Sequence, residues 1–249
     1  MSLAIIEFIG SPTSGKSTLS KALHQNLLSR NILSHLCSNE IIVKNHLKRR
    51  LKVPYNLLTM LIVFVISVYS LFSLKLYSVG LKKGKGYLKW LNRLRNELNN
   101  SIKWRKIISE TFSGNKIIIS DAKILGKCLF EIGDPRNIIG FALLPIIMKA
   151  LQLLPSIDIE HIFIIVADSQ HAIRRESRRK VNRVRPFLLP YQRKEYFYNS
   201  EKLSYMVYKS FGYKNKISLI HTSNSRIETS LERILAQLNY CHNIIDVQK

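Results

Sequence analysis

Eight consecutive residues near the start of the chain have the types and spacing to hold a polyphosphate. Gly10-Ser11-Pro12-Thr13-Ser14-Gly15-Lys16-Ser17 matches GxxxxGK[ST] at every defined position. Gly10 and Gly15 permit backbone shapes and close approaches that a Cβ would obstruct. Successive backbone N–H groups then face the anion, helped by the positive end of the helix that follows. Lys16 supplies a point charge to the outer phosphates, Ser17 a hydroxyl to Mg²⁺, and Thr18 opens the helix. A nucleoside triphosphate, ATP or GTP, with Mg²⁺ is the expected ligand.

The elements around the motif suit that chemistry. Residues 3–9 are a short, mostly apolar run, and residues 18–28 have amphipathic helical spacing, so the loop joins a strand to a helix. Further apolar runs at 32–37, 116–120, 162–167 and 217–221 read as strands, with helical patterning between the later ones. Short buried strands alternating with helices imply an α/β fold with a parallel sheet of about five strands flanked by helices. At 249 residues the chain is long enough for one such domain, and the motifs spread from the first strand to the last helix, so residues 1–249 are expected to form a single domain.

A second cluster of chemistry-bearing residues follows the strand at 162–167. It reads Asp168-Ser169-Gln170-His171-Ala172-Ile173-Arg174-Arg175-Glu176-Ser177-Arg178-Arg179. Arg174 and Arg178 are four apart, as are Arg175 and Arg179, so each pair shares one face of a helix. Close guanidinium groups clamp phosphates bidentately and neutralise charge on a phosphoryl group in transfer. Asp168 is placed to cap that helix. Asp121 ends the strand at 116–120, where a carboxylate holds the Mg²⁺ shell, takes a proton from an acceptor hydroxyl, or caps a helix. Glu40, just beyond the second strand, is a rival base.

Other nucleotide-binding classes lack their marks. Asn215-Lys216-Ile217-Ser218 misses the Asp of a guanine-reading NKxD, no DxxG follows from Asp121, and LSGGQ is missing. The set resembles the thymidylate kinase and deoxynucleoside kinase branch of P-loop kinases. The likeness rests on the N-terminal loop, the acidic end of strand three, the strand–Asp–Ala–Arg–Arg segment, and a final strand, His221-Thr222-Ser223-Asn224 loop and helix at 227–238. It implies a P-loop NTPase fold with strand order 2-3-1-4-5, ATP at the carboxyl ends of the strands, and an enzyme that transfers a phosphoryl group. In the deoxynucleoside kinases a Glu placed like Glu40 acts on the acceptor. The chain has Asp121-Ala122 where thymidylate kinases carry Asp-Arg, and the resemblance does not name the acceptor.

Between strands two and three lie about 75 residues, too many for one crossover helix. A helical insertion at approximately 44–110 is expected there. Within it, residues 57–74 (LLTMLIVFVISVYSLFSL) carry no formal charge, and basic residues flank them. As a helix this segment would span about 27 Å, near the roughly 30 Å of a hydrocarbon core. One simple crossing would put parts of one sheet on opposite sides of a membrane. Three placements stay open: on an anionic membrane surface, buried as a core helix or homodimer contact, or inserted. The first suits a lipid-linked acceptor as well as a nucleotide or sugar.

The net charge of +23 favours anionic partners. Nucleic acid is a second class of partner, for a binding NTPase or scaffold, but no nucleic-acid motif accompanies the charge. Three widely spaced cysteines form no metal or redox pattern, and the N-terminus reads as a strand rather than a signal peptide. A cytoplasmic setting is expected, with peripheral attachment at the inner face of a membrane if the insertion binds lipid.

Overall fold

The computed structural model describes residues 4–37, 96, 117–121, 126, 159–178, 189–211 and 216–242. The expected insertion, with its apolar segment 57–74, lies outside them, as do Glu40 and Arg179. Strand β1 (Ala4–Gly10) is buried at every position except Ala4, which is half-buried. A strand covered on both faces shows no polar alternation, and that is why its sequence is a run of large apolar side chains. β1 leads through the loop to helix α1 (Lys16–Ser29), and then to β2 (Ser34–Cys37) and β3 (Ile117–Asp121). Next come β4 (His161–Val166), α2 (Ser169–Ser177), α3 (Pro190–Phe211), β5 (Ile217–His221) and α4 (Ile227–His242).

The five strands form one parallel sheet in the order β2-β3-β1-β4-β5, the order that the resemblance to the thymidylate and deoxynucleoside kinases implies. β1 is central. Phe8 pairs with Asp121 on one side and Phe163 on the other, and Gly10 pairs with Ile165. The register therefore sets the end of β3 beside the start of the loop. In open sheets of this kind, ligands bind outside the carboxyl ends of the strands, where the strand order reverses.

One face of the sheet packs on α1 and α4. Leu19, Leu23 and Leu27, spaced by four, meet Ile6, Phe8, Ile117, Ile119, Phe163 and Ile165, and Ile234 and Leu238 complete the layer. Burying each such side chain stabilises the fold by about 1.5–3 kcal/mol before entropy is counted. The helix α1 is thus held over β1, and its N-terminus cannot drift from the loop. Its other end closes in a Schellman turn. Ile32 N–H donates to Leu27 O at 2.9 Å and Asn31 N–H to Leu28 O at 3.0 Å. Asn31 takes the left-handed conformation (φ 59°) that this turn needs.

A smaller core joins α2 to α3 through Ala167, Ala172, Tyr196 and Phe197, with the Tyr196 and Phe197 rings edge-on at 5.6 Å. Glu7 is a buried acidic residue within β1 that the apolar run conceals. It accepts a hydrogen bond from Gly126 N–H at 3.2 Å. Among the described residues no helix is long and apolar enough to cross a membrane.

Candidate functional site

The loop between β1 and α1 is shaped by two glycines. Gly10 has φ 153°, and a Cβ there would lie 2.2 Å from the Ile165 carbonyl oxygen of β4. Gly15, with φ 96°, is the residue before the first turn of α1 and takes a left-handed conformation. Gly15 at the N-cap has no side chain to bond the first N–H groups of that helix. Thr18 N–H and Leu19 N–H both reach Gly15 O at 3.0 Å and start the helix. Lys16 Nζ donates to Ser11 O at 3.2 Å, folding the ammonium group over the loop.

Ser17 and Asp121, 104 residues apart, meet at this point. Ser17 Oγ donates to Asp121 Oδ2 at 2.5 Å. The second carboxylate oxygen, Oδ1, is buried and has no hydrogen-bond partner among the described residues. A serine hydroxyl and a carboxylate with spare acceptor capacity are the hard oxygen donors that Mg²⁺ takes while keeping most of its water shell. The described residues contain no group of three or more His, Cys, Asp and Glu side chains that could hold a metal ion. The hydroxyl and carboxylate pair fits a Mg²⁺ ion that arrives with a nucleotide.

Helix α2 lies against the loop from the other side. Of the four arginines expected to act together, the three described ones are not equivalent. Arg174 and Arg178 are exposed. Arg175 is half-buried, and its guanidinium group faces protein acceptors: Nη1 donates to Thr13 O at 3.3 Å and to Thr222 Oγ1 at 3.2 Å, and Nη2 donates to Thr222 O. Thr222 Oγ1 in turn donates to Ser14 O at 2.6 Å. Thr13, at the fourth position of the motif, has φ 65°, and its hydroxyl donates to Ala172 O of α2 at 3.1 Å.

Asp168 stands at the N-cap of α2 as expected, but its side chain makes no capping bond. The Ser169 N–H is taken by Glu201 Oε2 of α3 at 2.7 Å, so a carboxylate from another helix satisfies the donor. The Asp168 carboxylate lies 3.6 Å from His171 Nδ1. Burial, then the nearby carboxylates Glu201 and Asp168, raise the Tyr205 phenol above its ordinary range. Its ring sits 5.8 Å from His221 at the end of β5.

Thr222 carries no signal in the sequence beyond its place in the loop after the last strand. Its partner Ser14 is 208 residues away, and no local pattern reports such a contact. The sole advance sign of tension in the loop is a β-branched residue at position 13, where the backbone takes a shape such residues avoid.

No protein-family model and no curated protein matches the sequence. Solved structures do match. Deoxyadenosine kinase from M. mycoides, with products dCMP and a flexible dCDP bound, gives a TM-score of 0.52 at 16% identity over 95% of this chain and 99% of that one. The same enzyme with dCTP bound gives 0.50 at 18% identity over 95% and 99%. Thymidylate kinase from Ehrlichia chaffeensis aligns over 96% and 100% at 15% identity, with a TM-score of 0.48. The chain shares the α/β fold of the deoxyadenosine kinase structures. Within this fold the carboxyl end of β1, the start of α1, the end of β3 and helix α2 converge, and they bring Lys16, Ser17, Asp121 and Arg175 to one loop.

Proposed function

We propose that this chain is a Mg-ATP-dependent phosphotransferase whose acceptor is a nucleoside or nucleotide. The observation that carries the reading is the Ser17–Asp121 pair at the mouth of the loop, with one buried carboxylate oxygen unpartnered among the described residues. The acceptor class is taken from the nucleotides bound to the deoxyadenosine kinase that shares the fold.

In this reading the loop N–H groups and Lys16 bind the β- and γ-phosphates. The Lys16 ammonium group leaves Ser11 O for the triphosphate, a stronger acceptor. Ser17 and Asp121 would hold Mg²⁺, which when bound neutralises charge on the phosphate oxygens. Arg174 and Arg178, exposed on α2, turn towards the transferred group. Asp121 is engaged by Ser17, so Glu40, three residues beyond the end of β2, is assigned to take the acceptor's proton. Catalysis is then mostly positioning and charge neutralisation.

The test is phosphoryl transfer from γ-labelled ATP and GTP with Mg²⁺, offered nucleosides, nucleoside monophosphates, sugars and a lipid extract. A labelled nucleotide product that disappears with Lys16→Ala is expected. Glu40→Gln should lower transfer while leaving ATP binding near wild type. A labelled sugar or lipid would replace the acceptor class, and bound ATP with no product in any fraction would remove the kinase reading.

A further inference from the structure

Thr13 is a β-branched residue in the left-handed region, a conformation that Gly adopts without cost and that Thr avoids. Strain of this kind persists only where the surroundings over-determine it. Here the neighbours that hold it are specific. The Thr13 hydroxyl is bound by Ala172 O, and its carbonyl is bound by Arg175. Arg175 also binds both oxygens of Thr222, and Thr222 passes the contact on to Ser14 O.

We propose that Arg175 and Thr222 form a latch that keeps the phosphate loop in its anion-binding shape, with Arg175 a positioning residue and not a phosphate ligand. The inference rests on the loop being a triphosphate site. A peptide group is planar and trans, so its C=O and the next N–H point in opposite directions. The Thr222 hydroxyl fixes the Ser14 carbonyl on the side of the β5–α4 loop, and the Gly15 N–H is thereby turned into the hollow of the phosphate loop. The Arg175 contact fixes the Thr13 carbonyl in the same way. The Ser14 N–H opposite it closes a turn on Ser11 O at 3.3 Å.

Three of the five N–H donors of Arg175 are directed at protein acceptors in this arrangement. Both N–H bonds of Arg175 Nη1 and one of Nη2 already have acceptors. The single proton of Thr222 goes to Ser14 O, the nearer of its two carbonyl neighbours at 2.6 Å against 3.2 Å for Val166 O. The hydroxyl accepts from a cation while it donates, and that strengthens its own bond. One helix, one strand end and the loop are joined by a chain in which each member depends on the next.

The latch and a direct phosphate contact differ in how Arg175 couples to Thr13. Calorimetric titration of the full chain with inorganic tripolyphosphate reads this coupling. Arg175→Gln and Thr222→Val are each expected to weaken binding about tenfold, the loss of roughly one buried charge-assisted or neutral hydrogen bond. Thr222→Ser, which keeps the hydroxyl, should bind like wild type. Thr13→Gly supplies the left-handed backbone without restraint. In that background Arg175→Gln should cost about twofold or less. Equal losses in the wild-type and Thr13→Gly backgrounds would mean that Arg175 touches the phosphates and would overturn the latch, as would a harmless Thr222→Val. Should Arg175→Gln not fold, Thr222→Val in both backgrounds reads the same coupling. Tripolyphosphate binding without phosphoryl transfer by the wild-type chain sinks the kinase reading alone, and absence of both overturns the two together.

Discussion

Gly10 and Asp121 both lie at the carboxyl ends of their strands, yet substitutions there should have opposite signatures. At Gly10 the obstacle is backbone: an added Cβ would meet the Ile165 carbonyl oxygen at 2.2 Å, and neither strand can retreat without breaking the β1–β4 register. Gly10→Ala should lower folding stability by about 2–3 kcal/mol, read as a fall in the urea midpoint. Asp121→Asn changes a charge and almost no volume. Its melting temperature should stay near wild type while phosphoryl transfer falls by about a hundredfold or more. A large stability loss in Asp121→Asn would show that the carboxylate serves the fold. The loop residues 10–17 were legible because their chemistry depends on spacing within eight positions. Thr222 and the orientation of Arg175 were not, since they depend on which strands end side by side. Only the folded sheet decides that.

The strands were legible as elements for a related reason. A parallel sheet covered on both faces imposes continuous apolar runs, and β5 begins and ends at the residues its run suggested. The other runs mark the strands within one or two positions, because hydrogen-bond pairing rather than hydropathy fixes the ends. What hydropathy could not show is the polar seam between α1 and β2. His24 of α1 lies 2.8 Å, by Nδ1, from Ser34 Oγ of β2. Burial first, and then the neighbouring His35, hold its pKa below the ordinary 6.5. Between the folded and unfolded values the unfolded chain binds more protons, so stability rises with pH in that window. The contribution is whole above 6.5 and is lost as pH falls through the folded value. Urea midpoints taken at neutral pH and again below pH 6 should therefore drop in wild type, and drop less in His24→Gln. Parallel curves for the two proteins would place the acid sensitivity elsewhere.

At the scale of the molecule, the dominant quantity is the net charge of +23. A surplus of this size raises the local concentration of anions and speeds their capture over distances beyond hydrogen-bond contact. Arg174, Arg178 and Arg226 are exposed on or near the elements that frame the loop, where their fields are open to screening. Lys16 is half-buried and its field is screened less. Nucleotide affinity should then separate into a salt-sensitive and a salt-resistant part. Raising potassium chloride from about 50 to about 500 mM should weaken ATP binding about tenfold, while adenosine, which carries no charge, should bind unchanged. In Arg174→Gln the salt dependence should be shallower than in wild type. In Lys16→Ala affinity should fall at every salt concentration with little change in slope. If ATP affinity were indifferent to salt, the basic surplus would be acting on a partner other than the nucleotide. The same titration with single-stranded oligonucleotide would then identify nucleic acid as that partner by a steep loss of binding.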